Sequence, residues 1–395
     1  MTGRRKIGLI LSMVGFAISL NTLPSLVTWF SAKFSVGPNW FGIVFLLQAG
    51  SFTFFTMGVG RLHKNYKLPL LTIAITSLFI SAIALFFFGH SGSFLILSLL
   101  MIVIGGSGGL VESIGTTLLA DGEQSRQMLY TSQVFFGIGA FSAPLIVGVL
   151  LKQGLQVPQI SMVTGSFAFA VGILVLILVL PSSKDKLEHH SIAEPETGAI
   201  IPDSGTGKGF MWLFFTMMAY IVLENSLASW LPAFLEKTYH VSPAIASLTL
   251  TCYWIGLTLS RLFFVFFKKK TTHIPLLFHV LFLLATLFLF VIVGPTASSL
   301  GTMVIISLAG IASGPIWVLI IENCKENYKD PHLIMYLVGG GSIGALIGPI
   351  LSSSLFAITD IAYLGYILIA YGIILGVLTV RAISLEKPLG VQQEA

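Results

Sequence analysis

The sequence predicts an all-α membrane protein of twelve transmembrane helices, arranged as two six-helix halves. Three observations carry that prediction. Of 395 residues, 55% are hydrophobic and 9% are charged, with a mean hydropathy of +0.94. A soluble globular protein carries roughly 25% charged residues. Twelve segments are apolar over the roughly 20 residues that a bilayer-spanning helix needs. The second six segments also echo the first.

In order, the spans fall near 7–30, 41–61, 69–89, 93–119, 130–151, 160–181, 210–233, 243–267, 274–293, 298–321, 333–356 and 361–382. Most intervening runs are short and polar. The longest, 182–209, is rich in Pro, Gly, Ser and charge and cannot bury a core, so it reads as a flexible linker. It separates an N-terminal half (1–181) from a C-terminal half (210–382), and 383–395 is a short tail. The N-terminus, MTGRRKIGLI, runs straight into apolar sequence with no small-residue cleavage site. It reads as a retained first helix and not as a signal peptide.

Lysine and arginine set the orientation. With both termini on one side, that side holds 18 of the 21 basic residues, and the other keeps only Lys33, Lys152 and Lys237. The bias places termini and linker in the cytoplasm of a cell (inner) membrane. It also accounts for the +5 formal charge without any nucleic-acid partner. Cys252 and Cys324 sit in or beside apolar segments and read as packing residues.

The repeat is visible in two helices. Span 5 contains GIGAFSAPLIVG (137–148) and span 11 contains SIGALIGPILSS (342–353). Aligning Gly139 with Gly344 also aligns Pro144 with Pro349, both read as gating positions. Arg61 after span 2 and Arg261 in span 8 stand at similar places, and a gating role is expected for both. A parallel repeat of two six-helix halves is an architecture of transporters with a central site. The alternative for these Gly and Pro residues is helix packing and kinking alone.

This pattern resembles the major facilitator superfamily over the whole chain. The family's loop after span 2 is matched loosely by GVGRLHKNYK (58–67), with Gly58, Arg61, Lys64 and Lys67 in place and Gly60 where an acid is usual. GGLVESIGTTLLAD (108–121) and YWIGLTLSRLFF (253–264) resemble the fucose/glucose/galactose–proton symporter group. Glu112 and Arg261 match that group. Ser260 replaces its glycine, and the first span lacks its acid, having Asn21 as its most polar side chain. The resemblance implies a sugar carried with a proton.

Glu112 lies mid-span, where a charge costs about 2.5–3.5 kcal/mol on insertion scales. Gly105, Gly108, Glu112 and Thr116 are three or four residues apart, on one helix face. A carboxyl group withdrawn from water can exchange its proton near neutral pH, and a carboxylate accepts hydrogen bonds from sugar hydroxyls. Glu112 is therefore expected to couple protons and bind substrate. The alternative is a structural glutamate. Glu224 in AYIVLENSLASWLP (219–232) is the second such acid, with Asn225 beside it, Ser229 on the same face and Pro232 beyond. Asn21 in SLNTLP (19–24) likewise precedes a proline.

Gln48, Gln133 and Tyr336 are uncharged polar groups at membrane depth, as apt to join helices as to touch substrate. Trp254 and Trp317 lie deep enough to stack on a sugar face or to pack the core. Trp40, Trp212 and Trp230 are expected at the membrane interface. Asp121, Glu123, Arg126, Glu322, Asn323, Lys325 and Glu326 read as solvated or gate-forming charge. His189 and His190 belong to the linker.

No GK[ST] phosphate loop points to ATP, and no HExxH, CxxC or His/Cys cluster points to a metal. The reading is a secondary transporter, not an enzyme, without cofactor, acting as a monomer in the lipid bilayer. It moves a small polar solute, most plausibly a sugar, by proton-coupled alternating access, with sodium as the other ion. The halves would rock about a cavity lined by spans 1, 4, 7 and 10. The main alternative is a proton-driven exporter of drugs or other amphiphiles. Its span-5 motif is only partly matched by APLIVG (143–148). A non-transporting sensor would need an added soluble domain, for which the linker and tail are too short.

Overall fold

A computed structural model describes residues 3–66, 69–119, 125–179, 208–266, 273–328 and 332–385. Among them there are twelve apolar helical spans and no strands. In lipid a backbone must satisfy its own polar groups, and a helix does this within one segment. The linker expected at 182–209 lies almost entirely outside the described residues.

The first span is broken. Helix α1 (Gly3–Asn21) ends at a short 3-10 turn, Leu23–Leu26, and α2 (Val27–Phe34) completes the crossing. Pro24 has no N–H, so the Leu20 carbonyl loses the partner that a continuous helix would supply. The Gln48 side-chain amide donates to that carbonyl at 3.2 Å. Gln48→Leu is expected to leave this part-buried carbonyl without its side-chain partner and cost about 1–3 kcal/mol, seen as a lower Tm in detergent.

The other spans are α3 (Phe41–Tyr66), α4 (Leu70–Phe88), α5 (Phe94–Leu119), α6 (Ser125–Lys152), α7 (Val157–Val179), α8 (Lys208–Thr238), α9 (Pro243–Phe266), α10 (His273–Val293), α11 (Ser299–Asn327), α12 (His332–Ile358) and α13 (Leu364–Leu385). Each later span thus carries a number one above its ordinal.

The halves repeat at a constant offset of 205 residues, as from Gly139 to Gly344. In the first half α3 crosses α5, and a Cβ added to Gly105 or Gly109 would overlap the carbonyls of Gln48 and Phe52. In the second half α9 crosses α11, where Gly310 and Gly314 meet the carbonyls of Tyr253 and Leu257. All four pairs obey the offset. Such close crossings are how lipid-embedded helices gain packing energy. Gly109→Val or Gly314→Val is expected to force the helices apart and cost about 1–3 kcal/mol, read as loss of monodisperse protein. The opening spans of the two halves also end alike. Ser35 after α2 and His240 after α8 both take the left-handed conformation at φ 54°, a helix C-terminal cap repeated at the same offset.

The halves meet along two antiparallel seams, α6 with α9 and α3 with α12. On the second seam Gly42 packs against Ser353 and Gly50 against Leu346. The same register brings Gly58 level with Gly339, and among the described residues a Cβ on either would meet nothing within 4 Å. That seam is packed at the end away from the chain termini.

Candidate functional site

The two intramembrane acids occupy different surroundings. Glu224 sits on α8, buried, one helical turn beyond Tyr220. The Tyr220 hydroxyl donates a short hydrogen bond to Glu224 Oε2 and lies 3.0 Å from the Ser313 carbonyl on α11. Arg261 Nη2 on α9 approaches Glu224 Oε2 at 3.6 Å, and Arg261 Nε donates to the Gly314 carbonyl at 3.2 Å. Three helices therefore converge on one buried, hydrogen-bonded ion pair. The hydroxyls of Tyr253 and Ser313, also fully buried, lie beside one another next to this pair. Glycines 341, 344 and 348 of α12 cover the adjoining face of α8.

Glu112 is half-buried on α5. Its carboxyl group faces the Gln133 side chain on α6. Gly108 lets Phe16 and Leu20 of α1 close over one side, and Gly115 does the same for Met13. Among the described residues no lysine or arginine pairs with Glu112. The Thr116 hydroxyl does not extend this polar group, because it donates to the Glu112 carbonyl at 2.7 Å on its own helix. Thr258 against Gly137 fixes the register of α9 on α6. One turn further along, Gln133 and Arg261 are level across that seam.

The remaining predicted residues scatter. Asn21 and Asn225 are half-buried, and each amide donates back to its own helix, to Ala17 at 2.8 Å and to Ile221 at 3.1 Å. Gln48 belongs to the break in span 1. Trp254 is buried on the seam face of α9, and among the described residues its indole N–H has no partner. Trp317 and Tyr336 are half-buried. The carbonyls of Pro144 and Pro349 both accept side-chain hydrogen bonds, from Ser247 at 2.7 Å and Trp230 at 3.1 Å.

Three expectations need correction. Trp230 is not interfacial. It is 0% exposed, wedged between Phe45 and Phe356 at the meeting of the halves, whereas Trp40 is 51% exposed. Its indole N–H is satisfied by a proline carbonyl, so it needs no water. Asn323, read as solvated or gate-forming, is 0% exposed and so not solvated; it lies within α11, which runs on to Asn327. Arg261 is not the counterpart of Arg61. The offset matches it to Thr56, whose hydroxyl donates to the Gly109 carbonyl at 3.2 Å as Arg261 does to Gly314. The side chains of Arg61, Lys64, Lys67 and Arg126, and residues Asp121 and Glu123, lie outside the described residues. Sequence reasoning missed Tyr220, although its four-residue spacing from Glu224 was a usable signal. Two apolar grooves between α4 and α7, lined by Phe86, Ser166 and neighbouring phenylalanines, touch none of the predicted site.

Two six-helix halves with buried polar groups at their crossings define a membrane transporter. The chain belongs to the Major Facilitator Superfamily, whose family model matches residues 7–334. It is similar to the glucose/mannose transporter GlcP of Bacillus subtilis (strain 168), with 24% identity over 335 residues, 82% of this chain and 81% of that protein. It is also similar to the Protein TsgA homolog of Yersinia enterocolitica, with 24% identity over 286 residues and 70% of each chain. Among solved structures, a bacterial homolog of the human lysosomal transporter Spinster, in an inward-facing and occupied conformation, superimposes with a TM-score of 0.71. It shares 12% identity and covers 99% of this chain and 98% of its own.

Proposed function

We propose that this protein carries a sugar across the cell membrane together with a proton, by alternating access, with both termini in the cytoplasm. The observation that carries the reading is the contrast between the two acids. Glu224 is neutralised by Arg261, while Glu112 has the Gln133 amide beside it and, among the described residues, no cation. A proton is the smallest partner that can neutralise a carboxylate left without a cation, so Glu112 is the coupling residue. Glu224 then serves to hold α8, α9 and α11 in register. This narrows the broader expectation of coupling or binding at both acids.

The sugar assignment rests on two supports. At the 205-residue offset the counterpart of Glu112 is Trp317, so one half offers an acid and the other an indole at related places. A carboxylate with an amide accepts and donates to hydroxyls, and an indole packs on the apolar face of a ring. The second support is the relative named for glucose and mannose. Radiolabelled D-glucose, D-mannose and related hexoses, offered to proteoliposomes under an inward proton gradient and separately under a sodium gradient, test the reading. Proton-driven accumulation of one hexose is expected. Accumulation of none would sink sugar symport and favour the exporter.

A further inference from the structure

We infer that Ser247, Ser25 and the Pro144 carbonyl form a hydrogen-bonded latch that closes the seam between the halves at the end away from the termini. Ser247 lies on α9 of the second half. Its Oγ is 2.8 Å from the Ser25 Oγ and 2.7 Å from the Pro144 carbonyl oxygen, both in the first half. A carbonyl can only accept, so Ser247 gives its proton to Pro144 and Ser25 donates to Ser247. The three groups thus form one chain crossing from half to half and back. Ser247 is 0% and Ser25 2% exposed, so no water competes in this state.

The local sequence explains why these groups are free to meet. Ser25 sits in the 3-10 turn that Pro24 imposes on span 1, and this turn packs against α6, α8 and α9. Gly148 on α6 admits Ala244 and Leu248 of α9 one turn away, which brings Ser247 within reach of Pro144.

The repeat supplies an internal comparison. At the offset, Ser247, Ser25 and Pro144 correspond to Gly42, Trp230 and Pro349. There the Pro349 carbonyl is taken by Trp230 of its own half, and Ser353 at the seam donates to Ile350 of its own helix at 2.9 Å. The α3–α12 seam is therefore closed at this end by packing, with Trp230 against Phe45, and the α6–α9 seam by a hydrogen-bond chain. A neutral chain suits a gate. Its loss on opening is largely repaid by water, so its net contribution is small, and both states of a transporter must stay within reach of each other.

The test does not depend on the solute. With Cys252 and Cys324 replaced by alanine, spin labels at Gln153→Cys and Ser242→Cys mark the exposed far ends of α6 and α9. Electron–electron distance measurements in lipid nanodiscs then report the seam. Ser247→Ala is expected to raise the ratio of long to short distances about 3- to 10-fold. Ser25→Ala, which spares the Ser247–Pro144 bond, should shift it the same way by a smaller factor. Ser353→Ala should leave it unchanged. An unchanged distribution in Ser247→Ala, or an equal shift in Ser353→Ala, overturns the latch. If Ser247→Ala does not fold, Ser25→Ala decides, and no shift there contradicts the proposal.

Discussion

Replacing Glu112 with glutamine is expected to abolish gradient-driven hexose accumulation while leaving sugar exchange intact. Glutamine keeps the size of the side chain and its hydrogen bonding to Gln133. It removes only the ability to gain and lose a proton. For a carrier moving one proton per sugar, a gradient of one pH unit supports about tenfold accumulation. The variant should therefore equilibrate its sugar at a ratio near one. Counterflow, which needs only a loaded carrier that reorients, should proceed at a comparable rate. Loss of both activities would make Glu112 a binding or structural residue instead. Retention of both would remove it from the mechanism.

Glu224→Gln is expected to behave differently, as a stability defect. Removing one partner of a buried ion pair leaves the other charge uncompensated, at a cost of about 3–5 kcal/mol. Arg261 would keep the Gly314 carbonyl but no anion. That cost is a large share of the roughly 5–15 kcal/mol that holds a typical protein folded, so the variant should melt far below wild type or fail to express. Removing both charges should recover most of the loss. Glu224→Leu combined with Arg261→Met preserves volume, and such replacements of buried pairs are often neutral. The first half shows that neutral groups suffice at this crossing, since Ser19 and Thr56 stand at the equivalent positions. A double variant as unstable as the single one would mean that the pair does more than neutralise itself. Tm in detergent, measured for both singles and the double, decides.

Much of the architecture was legible in the sequence because lipid allows so few solutions. An apolar run of 20 residues must be a helix, so the twelve spans and their alternation followed directly. The repeat was also readable, since Gly139 and Pro144 share their spacing with Gly344 and Pro349. The polar pairings were harder. Tyr220 and Glu224 share a helix face, and that spacing is visible in the chain. The pairing of Glu224 with Arg261 depends on how α8 and α9 slide past one another, which no spacing reveals. Trp230 was misread because the preference of tryptophan for interfaces says nothing of which way a given face points. Ser247 was invisible for a related reason: a lone serine in an apolar helix usually donates to its own backbone, as Ser353 does. The break in span 1 was signalled by Pro24. The role of Gln48 in repairing it needed the neighbouring helix.

The central claim is that sugar and proton move together through the site at Glu112. The most direct measurement is the pH of a weakly buffered suspension of wild-type proteoliposomes as the transported hexose is added outside, with no imposed gradient. The account predicts a transient alkalinisation of the outer medium, abolished by a protonophore and absent with Glu112→Gln. Sugar entry with no pH change in wild type, or the same alkalinisation in the variant, would contradict it.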